Sequence, residues 1–290
     1  MLDVHTLICH RDVTMALRCL ASFVQCVAGA RLVLHDDGTL TNEDIERLAE
    51  GLPISGIVRR GRADDAMREA LRRYPACARA RSENVLMLKL FDVALLGDEP
   101  DIRYCDTDIL FFRRVSGLFD RSADQPAAVF MRDPGHAYAA RPWHLIGPEG
   151  MRLAGHLNSG LFLFPRDRFD LEFLEWLLAK EKIRAIFAHI RSWAEQTCWA
   201  ALAHRAGCGM WDEECISVVN EGWTAGDRTV AAHFVSSSRH RLAEALPQAP
   251  GASQSNGEPK LVAITESRRC SALDLGASQI IRRIRRACGY

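Results

Sequence analysis

Between residues 4 and 105 short apolar runs alternate with stretches of helical periodicity, and that alternation leaves few folds open. Val4 to Cys9, Ala30 to Leu34, Ile54 to Val58 and Ile102 to Cys105 read as strands. Asp12-Val13-Thr14 is placed to cap a helix to about Val27, with Leu17, Leu20, Phe23 and Val24 at helical spacing. Thr41-Asn42-Glu43-Asp44 opens a second helix to about Glu50, and helical patterning returns over Asp64 to Tyr74 and Glu83 to Leu96. Strands separated by helices form βαβ units, so a largely parallel sheet is expected. Such open sheets bind ligands beyond the carboxyl ends of their strands. His35-Asp36-Asp37-Gly38 and Asp106-Thr107-Asp108 both fall at such ends.

The second half is less regular. Ala127 to Met131, Leu161 to Phe164, Ile216 to Val219 and Val230 to Val235 read as strands, and Leu171 to Lys182 and Ala194 to Ala206 as helices. Asp133 to Gly155 carries several Pro and Gly residues and is expected to be mostly loop. Residues 245–260 are rich in Pro, Gly, Ser and Gln, which predicts a flexible linker between a domain over 1–244 and a segment over 261–290. With 48% apolar and 26% charged residues, a folded soluble domain is the expectation. Equal totals of 37 basic and 37 acidic residues give no basic field, which argues against nucleic acid as partner. No signal peptide and no apolar window of about 20 residues is read, so a cytoplasmic protein is expected. The ten cysteines contain no C-x-x-C pair and suit buried free thiols.

Asp106 and Asp108 follow the apolar strand and precede Ile109-Leu110-Phe111-Phe112. In extended backbone, carboxylates two residues apart point to one side. Two hard oxygen ligands on one side suit Mg²⁺ or Mn²⁺, with phosphate oxygens completing the shell. A solvated strand end is the plainer account of the pair taken alone. Asn158-Ser159-Gly160 enters a buried strand, where small residues allow close backbone approach to a ligand, or simply make a turn. Glu195 begins a helix, either as an acid/base group or as a carboxylate that complements the helix dipole. His233 sits in an apolar strand, as a core histidine or as a further metal ligand. Lys89 lies on an apolar helix, snorkelling or reaching a nucleotide or the acidic pair.

Taken in order, Lys89-Leu90-Phe91-Asp92, Tyr104-Cys105-Asp106-Thr107-Asp108-Ile109-Leu110-Phe111, Asn158-Ser159-Gly160-Leu161-Phe162, Glu195-Gln196 and Ala232-His233-Phe234 resemble the GT-A glycosyltransferases, the nucleotide-diphospho-sugar transferase superfamily, and loosely its family-8-like retaining branch. The resemblance covers about residues 3 to 240 and implies a Rossmann-like α/β fold with a mixed, mainly parallel central sheet flanked by helices. It further implies that Asp106, Asp108 and His233 hold Mn²⁺ or Mg²⁺ on the diphosphate of a sugar nucleotide. Lys89 would stand where such enzymes place a base or nucleotide contact, Asn158, Ser159 and Gly160 would line the donor-sugar or acceptor side, and Glu195 and Gln196 would face the transferred sugar. His10 and Asp36 would flank the nucleoside. Ser236-Ser237-Ser238-Arg239-His240 follows the histidine where the branch usually has glycine and lysine, so Arg239 would replace that lysine on the diphosphate. The acceptor would be a glycan, a lipid-linked glycan or a protein. A metal-dependent phosphohydrolase or nucleotidyltransferase, and a GT-A-like binding module without activity, are the rival functions.

Residues 278–290 interleave Ile280, Ile281 and Ile284 with Arg282, Arg283, Arg285 and Arg286. The segment packs its isoleucines on the domain as a terminal helix, frays as a tail, or rests as a helix peripherally on an anionic membrane.

Overall fold

The computed structural model describes residues 1–121, 124–246 and 260–287. Most of the expected linker, residues 247–259, lies outside the described residues. The strands are β1 (Leu2–Ile8), β2 (Ala30–Asp36), β3 (Ile54–Val58), β4 (Asp101–Cys105), β5 (Ile109–Phe111), β6 (Val115–Ser116), β7 (Ala128–Arg132), β8 (Leu157–Pro165), β9 (Cys208–Trp211), β10 (Ile216–Val218), β11 (Ala231–His233), β12 (Lys260–Leu261) and β13 (Ile264–Glu266). Eight of them form the main sheet in the order β13-β9-β7-β8-β4-β1-β2-β3. The block β4-β1-β2-β3 is parallel, as the βαβ pattern requires, and β7 is parallel to β9. β8 runs antiparallel to both β4 and β7, and β13 antiparallel to β9.

The central strands of the sheet are buried on both faces, and strand alternation assigns their side chains to two separate cores. Tyr104, Phe130, Phe162 and Phe164 project to one face, where they pack with Trp199 and Phe91 under helices Met87–Leu95 and Ala194–Ala206. Cys105, Val129, Leu161 and Leu163 project to the other, with Phe23 and Phe111 under helix Val13–Cys26. The nine described cysteines are free thiols, eight of them buried.

Several elements depart from the pattern read in the sequence. Asp106 to Asp108 are not extended: the chain turns there and leaves the main sheet. β5, which follows, belongs to a small sheet in the order β10-β11-β5. Asp12 makes no cap hydrogen bond to the helix it precedes, whereas Thr41 and Asp44 form the full reciprocal cap of Asn42–Gly51. The helix expected over Leu171 to Lys182 is two, Leu171–Ala179 and Glu181–His189, because Lys180 is extended between them. Residues 264–266, not read as a strand, close the edge of the main sheet, and Cys270 and Leu275 beyond them are core residues. The last helix spans Ala272–Ala287.

Candidate active site

The acidic turn is built where the two sheets meet. β4 delivers Asp106 from the main sheet, and the Asp106 amide donates to the Gly160 carbonyl of β8 at 2.7 Å. β5 then pairs antiparallel with β11, and the register places His233 opposite Ile109. The Phe234 amide donates to the Asp108 carbonyl at 2.9 Å. Pairing of β5 with β11 therefore carries the His233 ring to the two carboxylates. Its Nε2 lies 3.0 Å from Asp108 Oδ1 and 3.7 Å from Asp106 Oδ2, and one ligating atom from each residue falls within 4.8 Å of the others.

The tautomer of His233 is fixed from behind. Asn158 Oδ1 lies 2.9 Å from the Gly160 amide, which can only donate. The Asn158 Nδ2 lies 3.3 Å from Asp133 Oδ2. These two partners set the amide so that its oxygen faces His233 Nδ1 at 3.0 Å, and Nδ1–H must donate to it. Nε2 is left toward the carboxylates, the orientation a metal-binding imidazole needs. Two carboxylates and one such nitrogen are a donor set suited to Mn²⁺ or Mg²⁺.

Charge around this cluster is balanced within the protein. Lys89 Nζ lies 3.1 and 3.2 Å from the Asp106 oxygens, 3.9 Å from Glu195 Oε1 and 4.5 Å from the centre of the Tyr104 ring. Tyr104 donates its hydroxyl to Asp106 Oδ1 at 2.7 Å. Arg239 donates through Nε and Nη2 to Asp108 Oδ2 at 3.0 and 2.8 Å, and through Nη1 to Asp12 at 3.2 Å. Burial pushes the Asp108 carboxyl up, but His233 and Arg239 outweigh it and hold the group at about 2. Burial likewise pulls the His233 and Lys89 pKa values down, and the facing carboxylates overcome it, so both are raised.

Glu195 shows the opposite balance. Burial raises its carboxyl to about 7 against the pull of Lys89. Ser159 Oγ donates to its Oε2 at 3.0 Å, while the buried Oε1 has no hydrogen-bond partner among the described residues. Gln196 accepts from the Ser159 amide at 3.1 Å and donates to the Ala137 carbonyl at 2.9 Å. A buried carboxyl with a free oxygen and a pKa near neutrality can give or take a proton at working pH.

The structure thus gathers Lys89, Asp106, Asp108, Asn158, Ser159, Gly160, Glu195, Gln196, His233 and Arg239. His10 and Asp36 stand at the ends of adjacent strands and are engaged elsewhere. His10 Nδ1 meets Asp44 at 2.6 Å, and Asp36 accepts from the Gly38 and Leu40 amides and pairs with Arg59 at 3.3 Å. Asp12, Tyr104 and Asp133 were not singled out by sequence. Asp133 follows a strand at its carboxyl end, which was a usable signal. Asp12 resembled a helix cap and gave none.

Gly160 was read as room for a ligand. In the structure that room is filled by His233: a Cβ at position 160 would lie 2.5 Å from ring atoms Cε1 and Nδ1. Gly160→Ala is therefore expected to displace the ring, destabilise the fold by about 1–3 kcal/mol and weaken Mn²⁺ binding. Denaturant unfolding and a Mn²⁺ titration of the variant check this; no change in either would remove the packing argument.

No protein-family model matches the chain, and no curated protein matches it. Solved structures do. Mouse xyloside xylosyltransferase 1 in its apo form superposes with a TM-score of 0.53 at 12% identity, over 82% of this chain and 99% of that one. An active-site mutant of LgtC gives a TM-score of 0.50 at 12% identity, over 85% of this chain and 95% of that one. The bifunctional glycosyltransferase WbbM gives 0.50 at 9% identity, over 81% of this chain and 45% of that one. The chain has the GT-A fold of these glycosyltransferases.

Proposed function

We propose that this protein is a glycosyltransferase that moves a sugar from a nucleoside-diphosphate donor to an acceptor hydroxyl, with Mn²⁺ or Mg²⁺ held by Asp106, Asp108 and His233. The observation that carries the reading is the convergence of those three side chains, with the His233 tautomer set by Asn158, at the strand ends of a GT-A fold. Bound there, the cation would act as a Lewis acid on the diphosphate leaving group. Arg239 is near enough to Asp108 to exchange a carboxylate oxygen for a phosphate oxygen, adding positive charge where the leaving group accumulates negative charge. Lys89 neutralises Asp106 and keeps the acidic pair from repelling a polyanionic donor. Asn158 and Ser159 line the donor-sugar or acceptor side, where Glu195 holds or releases a proton near the reacting centre, and Gly160 makes room for the His233 ring. His10, exposed beyond the end of β1, would flank the nucleoside, whereas Asp36 is occupied by the Gly38 and Leu40 amides and Arg59. A glycan or lipid-linked glycan supplies the acceptor hydroxyl.

A thermal-shift screen of nucleoside diphosphates, each with and without Mn²⁺, tests the reading. Stabilisation by one nucleotide only when Mn²⁺ is present is the expected result. Cleavage of the cognate sugar nucleotide to a sugar phosphate and a nucleoside monophosphate, unaffected by any acceptor, would favour a phosphohydrolase. Binding without turnover in the presence of glycan acceptors would favour a binding module.

A further inference from the structure

The last helix is mounted inside out. Its inward face carries Leu275, Ser278, Gln279 and Arg282. Ser278 Oγ accepts from the His136 amide at 3.1 Å, Gln279 donates to the Ala140 carbonyl at 2.7 Å, and the Arg282 guanidinium lies 4.5 Å from the Trp193 ring centre. Those mostly polar contacts fix the rotation of the helix about its own axis. The opposite face holds Leu273, Ala277, Ile280, Ile281 and Ile284, at the spacing of one helical stripe. Leu273 is 84%, Ile280 58%, Ile281 50% and Ile284 57% exposed. The turn Pro142–Leu145 packs beside this helix and leaves Trp143 exposed, as is Ile146 just after it. The isoleucines thus stay exposed among the described residues, whereas burial on the domain is one of the readings the sequence offers.

Charge identifies what covers the stripe. Residues 279–287 contain four arginines and no acid, and Arg283 is exposed along the edge of the apolar face. An apolar stripe of about 17 Å, with the exposed Arg283 along its edge and an exposed tryptophan next to it, matches a bilayer surface carrying anionic lipid headgroups. We infer that the outward face of helix Ala272–Ala287, with Trp143 and Ile146, docks the protein on an anionic membrane surface. The helix is anchored to residues 136–140, and Gln196 donates to Ala137 in the same segment, so the docked face is tied to the wall of the candidate active site. Docking requires no transfer activity and stands apart from the function proposed above.

Flotation of the full chain with vesicles tests it. Binding to phosphatidylcholine vesicles enriched in phosphatidylglycerol is expected, with little binding to phosphatidylcholine alone and a decline as salt rises. The triple variant Ile280→Ser, Ile281→Ser, Ile284→Ser alters only exposed side chains; it should keep the wild-type circular dichroism spectrum and bind at least about tenfold more weakly. Arg283→Glu should also bind more weakly. Failure of the wild type to float with anionic vesicles overturns the proposal, as does equal binding by the triple variant. A wild-type dimer that the triple variant converts to monomer, without vesicle binding by either, assigns the face to a second copy of the chain and overturns it too.

Discussion

Asp108→Asn is expected to abolish Mn²⁺-dependent stabilisation by a nucleoside diphosphate while leaving a folded protein. Asp108 offers one oxygen to His233 Nε2 and the other to Arg239, so the amide removes a ligand charge and inverts the hydrogen bonding on one side. Breaking a buried ion pair by removing one partner typically costs about 3–5 kcal/mol. Here the cost should fall toward the low end of that range, because Arg239 keeps Asp12 and His233 can shed its proton once the carboxylate is gone. Differential scanning fluorimetry with and without Mn²⁺ and nucleotide separates the effects: a lowered melting temperature that no longer responds to the metal-nucleotide pair. A variant that still responds like the wild type would falsify the assignment of Asp108 as a ligand.

Glu195→Gln is expected to lower turnover by about a hundredfold to ten-thousandfold, the usual range for a lost acid/base group, and to flatten the pH dependence of stability. The Glu195 carboxyl is raised on folding from 4.5 to about 7, so the native state holds its proton more tightly than the unfolded chain does. Its favourable contribution is full below pH 4.5 and is lost as pH rises through about 7. The loss is on the order of 3 kcal/mol. Glutamine has no proton to lose, so urea denaturation of the variant should lack this decline across the same window. Parallel pH profiles for the two proteins would show that Glu195 is not held near neutrality, and unaltered turnover would remove it from the chemistry.

Local signals carried further than long-range ones. β3 and the helix Ala194–Ala206 fall where periodicity and flanking residues set them, and the cap of Asn42–Gly51 is the one Thr41 and Asp44 spell out. The break at Lys180 has no proline or glycine to mark it, and β13 is three residues long with no buried side chain, so neither has a periodic signature. The order of the short motifs was enough to point to the fold and to ten residues that the structure brings together. Geometry at the acidic pair was not readable in the same way. The reading relied on one extended strand, whereas the carboxylates sit on a turn whose second half is held by β11, far along the chain. Asp12 and Arg239 are 227 positions apart, and only the folded chain makes one a partner of the other.

The meeting line between the two sheets has a consequence for how the protein fails. Asp106 is rooted in an eight-stranded sheet whose central strands are buried on both faces, but His233 is held in place by two strands of three residues each. Short pairings of this kind open at lower free energy than the body of a large sheet. Heating should therefore separate Asp106, Asp108 and His233 before the domain as a whole melts, and amide exchange at Ala231 to His233 should outpace exchange in β1 and β8. Inactivation would then be an early, local and reversible event, and a bound donor would suppress it by clasping the two sheets together.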